Sequence, residues 1–278
     1  MAESSQSIFI TGAASGMGRA TAVLFAEKGW FVGAFDVDEE GLETLPDELG
    51  SERCVTRRLD VTDKSDYDAA VAEFARHTGG RLDLLFNNAG IGHAGWFEDV
   101  PYEATLRVVQ VNLVGVLNGI HAALPLLKNT PNSLCFTTSS SSATFGMPGI
   151  AVYSATKHAL KGLTEALSVE FSRYGVRAAD VLPGLIDTPI LLSTPVHSAG
   201  MPSQADSVNK APKRGAFRLM PPESVAEAVW SAYHGDRLHW YVPHGIVWLD
   251  RIKALAPRFL RNRFSANVRK LSRSRDSS

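Results

Sequence analysis

A tyrosine and a lysine stand four residues apart in the stretch Tyr153-Ser154-Ala155-Thr156-Lys157. If this stretch is helical, the two side chains lie on one helix face, so the lysine ammonium can stand beside the tyrosine phenol. A free tyrosine has a pKa of about 10 and exchanges protons poorly at neutral pH. A nearby cation favours the phenolate and lowers that pKa, as a general acid or base requires. The same spacing also fits an ordinary helix that exposes both side chains, so the rest of the sequence has to decide.

A glycine-rich segment, TGAASGMG at residues 11–18, follows an apolar run and precedes a helix-like segment. Glycines let the backbone approach a ligand closely, and a helix N-terminus offers unpaired N–H groups to a pyrophosphate. The spacing is G-x-x-x-G-x-G and not the common G-x-G-x-x-G. The strand–turn–helix context favours dinucleotide binding over a plain glycine-rich turn.

Asp36 ends the second strand-like run, 24 positions after Gly12. A carboxylate at this place can accept hydrogen bonds from both adenosine ribose hydroxyls, which favours NAD. It would also repel the 2′-phosphate of NADP, and neither Ala14 nor Ser15 supplies a basic side chain for that phosphate. The alternative is an acidic helix cap, because Asp38 and two glutamates follow.

Short apolar runs alternate with longer amphipathic ones along the chain. The predicted strands are Ile8–Thr11, Phe31–Phe35, Cys54–Leu59, Leu82–Phe86, Ser133–Thr138, Val176–Leu182 and Leu238–Val242. The predicted helices are Gly18–Lys28, Glu39–Leu45, Ser65–Arg76, Tyr102–Leu127, Val152–Tyr174 and Pro222–His234. Repeated βα alternation implies a parallel sheet with helices on both faces, and right-handed crossovers make it doubly wound. We therefore predict one α/β domain over residues 1–250, a Rossmann-type sheet of about seven strands, followed by a helical extension over 251–278.

Further polar or glycine-containing features occur in order along this pattern. They are Asn87-Asn88-Ala89-Gly90 at the end of the fourth strand, Asn112 within the next helix, Ser139 to Ser142 after the fifth strand, and Pro183-Gly184 after the sixth, with Thr188 four residues later. Asparagine is mildly unfavourable in a helix interior, since its amide competes for backbone hydrogen bonds. Ser140 lies 13 residues before Tyr153.

With these motifs the chain resembles the short-chain dehydrogenase/reductase family over about residues 7–190, in particular its alcohol dehydrogenases and ketoreductases. The resemblance implies that Asp60 and Val61 meet the adenine ring, and that the segment from Pro183 to Thr188 holds the nicotinamide end. The full cofactor set that it implies is Gly12, Ser15, Gly16, Met17, Gly18, Asp36, Asp60, Val61, Asn88, Ala89, Gly90, Tyr153, Lys157, Pro183, Gly184, Ile186 and Thr188.

The same resemblance implies a catalytic set of Asn112, Ser140, Tyr153 and Lys157. Tyr153 would be the general acid/base, and Ser140 would polarise the substrate oxygen. Lys157 would bind the nicotinamide ribose and lower the tyrosine pKa, while Asn112 would anchor a water that links Lys157 to solvent. A pKa change from about 10 to about 7 is worth roughly 4 kcal/mol, which a buried ammonium and an oxidised nicotinamide ring could supply together.

Two residues next to these motifs, Ser142 and His93, leave alternatives open. Ser142 could contact the substrate or only close the strand end. His93 could reach a substrate, although an ordinary loop histidine is the simpler interpretation.

Length and composition bound the remaining possibilities. The 278 residues, 45% hydrophobic and 21% charged, suffice for one large core. No apolar run approaches the roughly 20 residues that a membrane-spanning helix needs, and the short polar N-terminus lacks the features of a secretion signal. Cys54 and Cys135 lie in strand-like segments and suggest buried, reduced thiols. We expect a cytoplasmic protein, and because the eight histidines lack paired ligand spacing, no metal site.

The C-terminal extension is strongly basic. Residues 251–278 contain nine Lys or Arg and one acidic residue, a charge of +8, whereas residues 1–250 have 19 basic and 28 acidic residues, a charge of −9. Apolar residues recur in the extension at helical spacing. Such a helix can lie on a membrane surface, pack on a partner subunit, cover the substrate pocket or remain solvated. We favour packing and expect no nucleic acid partner; the resemblance implies a homodimer or homotetramer.

A long loop over residues 187–221 has little periodicity and follows the sixth strand, which places it where α/β sheets bind ligands. The resemblance places an apolar set around the substrate pocket: Trp96, Phe97, Phe145, Met147, Leu191 and Leu192. We therefore expect an NAD(H)-dependent enzyme that interconverts a secondary alcohol and a ketone of medium or large hydrophobic character. The alternatives are a non-catalytic dinucleotide sensor, an NADP(H)-preferring carbonyl reductase, and a lyase or epimerase on a nucleotide sugar.

Overall fold

The structure, a computed structural model, describes residues 5–202 and 211–275, so parts of the predicted loop and of the predicted extension, 203–210 and 276–278, lie outside the described residues. One parallel sheet has the strand order β3-β2-β1-β4-β5-β6-β7. Its strands are β1 Ser7–Thr11, β2 Phe31–Asp36, β3 Cys54–Arg58, β4 Leu84–Asn87, β5 Leu134–Thr138, β6 Arg177–Pro183 and β7 His239–Val242. The predicted doubly wound sheet is confirmed, and each strand end lies within two residues of its prediction.

The helices cover both faces of this sheet. They are α1 Gly16–Glu27, α2 Glu39–Glu43, α3 Leu45–Leu49, α4 Lys64–Thr78, α5 Tyr102–Val109, α6 Gly115–Asn129, α7 Ala151–Glu170, α8 Pro189–Ser193, α9 Glu223–His234, α10 Val247–Leu255 and α11 Pro257–Arg275. The predicted helix over 102–127 is interrupted by a π-helical turn, Gln110–Val114. The predicted helix over 39–45 is instead two short helices, because Pro46 favours a new first turn in α3.

Successive residues of each strand point to opposite faces of the sheet and pack in two separate hydrophobic cores. Ile8 and Ile10 of β1 pack with α1 and α9 on one face, whereas Phe9 packs with α4, α6 and α7 on the other. Phe9 stacks on Phe35 with ring centroids 4.0 Å apart. Because strands buried on both faces read as nearly continuous apolar runs, they were the elements easiest to predict. The chain order reverses across β1 and β4, and this switch point leaves a crevice at the carboxyl ends of the strands.

Part of the predicted loop over 187–221 has regular structure. Thr188 precedes the short helix α8, and Leu185–Ile186 pairs in parallel with Leu219–Met220. Val196 bridges to Ala94. The described part of this segment is therefore attached to the segment after β4, contrary to the expected lack of local structure.

The α5–α6 segment corrects the expectation that no apolar stretch approaches the length of a membrane-spanning helix. Residues Tyr102–Asn129 have a window of mean hydropathy 1.4, so by length and composition this helix could cross a membrane, and 44% of that window is buried. Its buried residues include Val116, Ile120 and Leu127, which pack in the core beside α4. This is the contact pattern of a core helix that covers a sheet.

The extension forms two helices instead of the single predicted one. Ala256, which precedes Pro257, has φ −139° and ψ 60° and interrupts the helix, as expected before a proline. Asp250 accepts hydrogen bonds from Lys161 (2.5 Å) and from the Tyr241 hydroxyl (2.8 Å). These contacts fix the extension to α7 and β7 of its own chain.

Candidate active site

The glycine-rich segment forms a tight turn into α1. Gly12 and Gly16 have φ of +68° and +53°, a backbone region that L side chains rarely adopt. A Cβ at Gly18 would lie 2.0 Å from the Gly12 carbonyl oxygen, so only glycine permits this approach of helix to loop. The first turn of α1 carries no acidic side chain. Its free N–H groups and the positive end of the helix dipole therefore suit an anion.

A cleft of about 410 Å³ opens beside this turn. Most of the predicted cofactor residues line it: Gly12, Ser15, Gly16, Met17, Asp36, Asp60, Val61, Asn88, Ala89, Gly90 and Thr188. Other predicted residues do not line it: Gly18, Tyr153, Lys157, Pro183, Gly184 and Ile186. Leu59, Ile91 and Arg107 are among the lining residues that were not predicted, because no motif includes them.

Asp36 is bound to the loop and does not cap a helix. Its carboxylate accepts hydrogen bonds from the Ala14 and Asp38 backbone N–H groups, at 3.0 and 3.1 Å. The cap of α2 is Asp38, which accepts from the Gly41 N–H. The alternative interpretation of Asp36 as a cap is therefore wrong, because Asp36 ends β2 two residues before the cap of α2.

Asp60 forms the opposite wall of the cleft. Partial burial alone would raise its pKa, but hydrogen bonds from Thr62 and the charge of Arg107 outweigh burial and hold the pKa below its usual value. The Arg107 guanidinium lies 3.5 Å from the Asp60 carboxylate. The Asp60 carboxylate is therefore ionised at neutral pH.

Asn88 ties three strand ends together. Its amide nitrogen donates to the Thr11 and Gly12 carbonyls at 3.1 and 3.3 Å, and its amide oxygen accepts from the Thr138 hydroxyl at 3.1 Å. The Thr11 hydroxyl accepts the N–H groups of Asn88 and Ala89. Thr11 and Thr138 were not predicted from the sequence, since their partners are distant along the chain.

Tyr153 and Lys157 lie on successive turns of α7, as the spacing predicted. The Lys157 side chain is 3% exposed, and its amine donates to the Thr138 carbonyl at 2.7 Å. The same amine lies 5.6 Å from the centroid of the Tyr153 ring. Ser139, which the sequence did not distinguish from its neighbours, donates its hydroxyl to the Lys157 carbonyl at 3.0 Å and fixes α7 to the end of β5.

Ser140 reaches the tyrosine, as the spacing predicted. Its side chain lies close enough to the Tyr153 side chain to act on the pKa of the phenol. The Ser140 hydroxyl oxygen also accepts the Ser142 N–H at 3.0 Å, at the start of the 3₁₀ turn Ser141–Ala143. Ser142 is buried and takes part through its backbone, so it orients Ser140 and closes the strand end.

The electrostatics of this pair bear on the expected tyrosine pKa. Burial raises the pKa of Tyr153, and the nearby Ser140 side chain opposes this increase without overcoming it. Burial also lowers the pKa of Lys157 to about 8. Lys157 alone therefore does not lower the tyrosine pKa in this structure, and the lowering expected from Lys157 together with an oxidised nicotinamide ring stays a prediction. The physical reason is that the desolvation free energy of the phenolate exceeds its stabilisation by the Lys157 amine, which is directed at the Thr138 carbonyl.

Asn112 lies in the π-helical turn, where an inserted residue turns its side chain out of the regular helical pattern. Its amide accepts the Ile91 N–H at 2.8 Å and donates to the Ile91 carbonyl at 2.9 Å. A Cβ at Gly90 would lie 3.3 Å from the Asn112 amide oxygen and 3.8 Å from the Lys157 amine. Gly90 therefore separates Asn112 from Lys157 with no side chain between them, and the role of Asn112 in holding a water stays a prediction.

The segment that follows β6 covers the glycine turn. Thr188 is nearly buried, and its methyl group would lie 2.9 Å from a Cβ at Gly16. The Gly184 N–H donates to the Val242 carbonyl at 2.7 Å. Gly184, with Pro183 in β6, thus holds β6 against β7 behind the cleft.

A small hollow of about 20 Å³ adjoins Tyr153 and is lined by Phe97, Val100, Val108 and Val152 among others. Of the six apolar residues predicted around the substrate, Phe97 lines this hollow. Phe145 stacks instead on Phe264 of the extension, and Leu192 is 68% exposed.

His93 lines both the hollow and the cleft. Its Nδ1 lies 2.9 Å from Nε2 of His197. Burial and the neighbouring His197 lower the pKa of His93, so it is neutral at pH 7. The pair joins the segment after β4 to the segment after α8 next to Tyr153.

Comparison with known proteins agrees with this geometry. A sequence profile described as short chain dehydrogenase matches residues 6–196. The chain is 35% identical over 224 residues to a cyclohexanol dehydrogenase from Acinetobacter sp. (strain SE19), a match that covers 79% of this chain and 84% of that protein. It is 38% identical over 188 residues to a 2,5-dichloro-2,5-cyclohexadiene-1,4-diol dehydrogenase from Sphingobium indicum, covering 67% of this chain and 75% of that protein.

Among solved structures, a short chain dehydrogenase/reductase from Burkholderia phymatum in complex with NAD is similar, with a TM-score of 0.80 at 26% identity. The match covers 92% of this chain and 95% of that one. The profile match includes the glycine turn, Tyr153 and Lys157.

Proposed function

Because the chain belongs to the short-chain dehydrogenase/reductase family of oxidoreductases, we propose that it interconverts a secondary alcohol and a ketone with NAD(H), and that Tyr153 is the general acid/base. The observation that carries this proposal is that Tyr153 and the buried Lys157 lie on successive turns of α7, with Ser140 close enough to Tyr153 to oppose the effect of burial on its pKa. A hydroxyl pair of this kind can bind one substrate oxygen and exchange one proton with it.

The residues present fit a dinucleotide. The two glycines with positive φ and the close contact at Gly18 leave room for a pyrophosphate at the start of α1. Asp36, Asp60 and Gly90 then belong to the adenosine end of the cleft, and Thr188 to the nicotinamide end. When bound, the dinucleotide supplies the hydride acceptor or donor, while the protein orients the reactants and moves the proton.

The surroundings of Asp36 favour NAD over NADP. A carboxylate repels a 2′-phosphate, and two arginines of neighbouring segments, Arg19 beside Ala14 and Arg58 opposite Asp36 in the sheet, are paired elsewhere. Arg19 binds Glu48 at 2.5 Å, and Arg58 lies 3.5 Å from Glu39. A 2′-phosphate would have to break these ion pairs to gain a cation.

The proton chemistry follows from the two pKa directions. A raised pKa keeps the Tyr153 phenol protonated at neutral pH, so in ketone reduction it donates its proton to the substrate oxygen. Ser140 donates a hydrogen bond to the same oxygen and stabilises the charge that develops there. In alcohol oxidation the phenolate accepts the hydroxyl proton, and this direction therefore needs a higher pH. Lys157 contributes a cation within 5.6 Å of the ring below its pKa of about 8.

The substrate that we propose is a hydrophobic, medium-sized or larger alcohol or ketone. Apolar side chains line the hollow beside Tyr153, and neutral His93 stands at its edge. The hollow of about 20 Å³ has room for little more than one water, so the bulk of such a substrate would lie in the adjoining cleft, which His93 also lines. The names of two relatives refer to six-membered ring alcohols, so cyclic secondary alcohols and the matching ketones are the first compounds to screen. Assembly as a homodimer or homotetramer and a cytoplasmic location stay predictions from the sequence.

The test of the catalytic proposal is Tyr153→Phe, which keeps the ring and removes the hydroxyl. We expect turnover to fall by about 10²–10⁴-fold, because that is the usual contribution of a general acid/base, while NADH fluorescence titration shows unchanged binding. The matched control is Tyr174→Phe, which removes a hydroxyl from an exposed tyrosine and keeps full activity. For the wild type, kcat/KM for oxidation should rise with pH and that for reduction should fall at alkaline pH. Full activity of Tyr153→Phe would refute the assignment.

The cofactor is tested by comparing kcat/KM with NADH and with NADPH. We expect NADH to be preferred and Asp36→Ala to reduce that preference. A wild-type preference for NADPH would contradict the argument from Asp36. A protein that binds NADH but turns over none of the screened compounds would favour the dinucleotide sensor instead.

A further inference from the structure

Helices α10 and α11, which include the described part of the extension, present three large apolar side chains to solvent. Trp248, Leu255 and Phe259 are 59%, 87% and 59% exposed. Trp248, Arg251 and Leu255 follow one another at intervals of three and four residues on α10, so they share one helix face. Large apolar side chains grouped in so short a segment are unusual on a soluble surface and indicate an interaction site.

The opposite side of the extension is fixed to the rest of the chain. Asp250 binds Lys161 and Tyr241, and the Lys253 amine lies 3.0 Å from Nε2 of His158. Further along, Leu260 is 4% exposed, and Phe264 stacks on Phe145. The packing that the sequence favoured thus uses one side of the two helices and leaves the other side without a protein partner among the described residues.

The free side is positively charged. Arg251, Arg258, Arg261 and Arg263 are all exposed. On α11, Arg258 points away from the packed Leu260 and Phe264, and Arg261 and Arg263 flank these two residues on either side. The Arg251 guanidinium lies 4.9 Å from the Trp248 ring, so cation and aromatic ring form one patch. The one acidic residue of 247–275 is Asp250, and its carboxylate is already bound.

We propose that this surface docks on an anionic lipid membrane, with Trp248, Leu255 and Phe259 entering the headgroup region and the four arginines contacting lipid phosphates. Trp and Phe prefer that interface, and anionic lipids attract Arg. The inference stands on this surface alone and does not depend on the proposed activity.

Charge decides between this occupant and the others. A second copy placed face to face would bring two sets of arginines together, and like charges at an interface are unfavourable. A nucleic acid would satisfy the arginines but would leave Leu255 and Phe259 without an apolar environment. An anionic bilayer satisfies both kinds of side chain.

The test measures binding of the full chain to vesicles of phosphatidylcholine mixed in equal parts with phosphatidylglycerol, and to vesicles of phosphatidylcholine alone, by flotation at about 0.1 M salt. We expect binding to the anionic vesicles only. Each arginine near an anionic membrane surface increases the membrane partition coefficient of the protein about fivefold. The variant Arg251→Gln/Arg258→Gln/Arg261→Gln/Arg263→Gln should therefore bind at least about 100-fold more weakly.

Two further variants separate the contributions. Trp248→Ser/Leu255→Ser/Phe259→Ser should keep the charge and lose most of the binding. The control Lys28→Gln/Arg53→Gln/Lys64→Gln/Arg76→Gln removes as many exposed charges elsewhere and should bind like the wild type.

Several outcomes would overturn the proposal. One is equal binding by the arginine variant and the control. Another is that the apolar variant dissociates an oligomer in sedimentation experiments without weakening vesicle binding, which would assign the surface to a second copy. A third is that a labelled DNA duplex binds more tightly than the anionic vesicles do.

Discussion

The Lys157→Met substitution tests the energetic price of the buried amine. Burial lowers the pKa of Lys157 from its ordinary 10.5 to about 8. The difference of about 2.5 pKa units, at 1.36 kcal/mol per unit, corresponds to roughly 3 kcal/mol. That free energy is the amount by which the folded state disfavours the charged amine relative to the unfolded chain.

The sign of the pH dependence follows from proton counting. Between pH 8 and 10.5 the unfolded chain holds a proton on this amine and the folded chain does not, so the free energy of unfolding rises with pH in that window. Below pH 8 both states hold the proton and the destabilisation is fully present. The methionine variant lacks the group and lacks this rise. The stability of the wild type relative to Lys157→Met should therefore increase by about 2–3 kcal/mol from pH 7 to pH 10.

The assay is urea unfolding of both proteins at the two pH values. The substitution also leaves the Thr138 carbonyl without its donor, which costs about 1–3 kcal/mol at every pH. The test is therefore how the difference in free energy of unfolding between the two proteins changes with pH, and not its size at one pH. Other titrating groups are common to both proteins and cancel in the difference. Lys64→Met is the control, because its amine is exposed and no burial is relieved. A difference between wild type and Lys157→Met that stays constant with pH would refute the reasoning.

The remaining predictions concern the glycine turn and a buried ion pair. Gly18→Ala places a Cβ 2.0 Å from the Gly12 carbonyl oxygen, so NADH binding should weaken at least about 10-fold and the free energy of unfolding should fall by about 1–3 kcal/mol. The control is Gly162→Ala, at a helix position with open space. It should instead stabilise the protein by about 0.5–1 kcal/mol in thermal unfolding. Burial by itself would lower the pKa of His239. The hydrogen bond to Asp180 (2.6 Å) and the charge of Asp180 outweigh burial, so the pKa of His239 is raised overall. His239→Gln should therefore cost about 3 kcal/mol in the free energy of unfolding at pH 6 and less at pH 9, since the stabilisation of a raised pKa is lost as pH increases through it. A loss for His239→Gln that is equal at both pH values would contradict this account.

The sequence predicted the frame of the site because the frame depends on local periodicity. Strands buried on both faces give continuous apolar runs, and the spacing of Tyr153 and Lys157 gives a shared helix face. Both signals need only neighbouring residues. The same holds for the glycine turn, since its function follows from backbone freedom at Gly12 and Gly16.

The contacts that hold the site together could not be predicted in this way. The hydroxyl of Thr11 accepts N–H groups from residues 77 and 78 positions away, and the Thr138 carbonyl accepts from an amine 19 positions away. Threonine is common in strands, so its type carries no signal for such a role. The π-helical turn around Asn112 was invisible for a related reason, because one inserted residue barely changes the apolar period of a long helix.

The pKa of Tyr153 shows most clearly what spacing leaves out. Spacing places a cation near the phenol, but burial acts on both members of the pair and drives each toward its neutral form. A neutral phenol can donate a proton at pH 7, and the amine keeps its charge only below about pH 8. Under the proposed function we therefore expect Tyr153 to donate to a ketone at neutral pH, and alcohol oxidation to need conditions that deprotonate the phenol. Rates measured in both directions across this pH range would separate burial from charge as the dominant influence on the tyrosine.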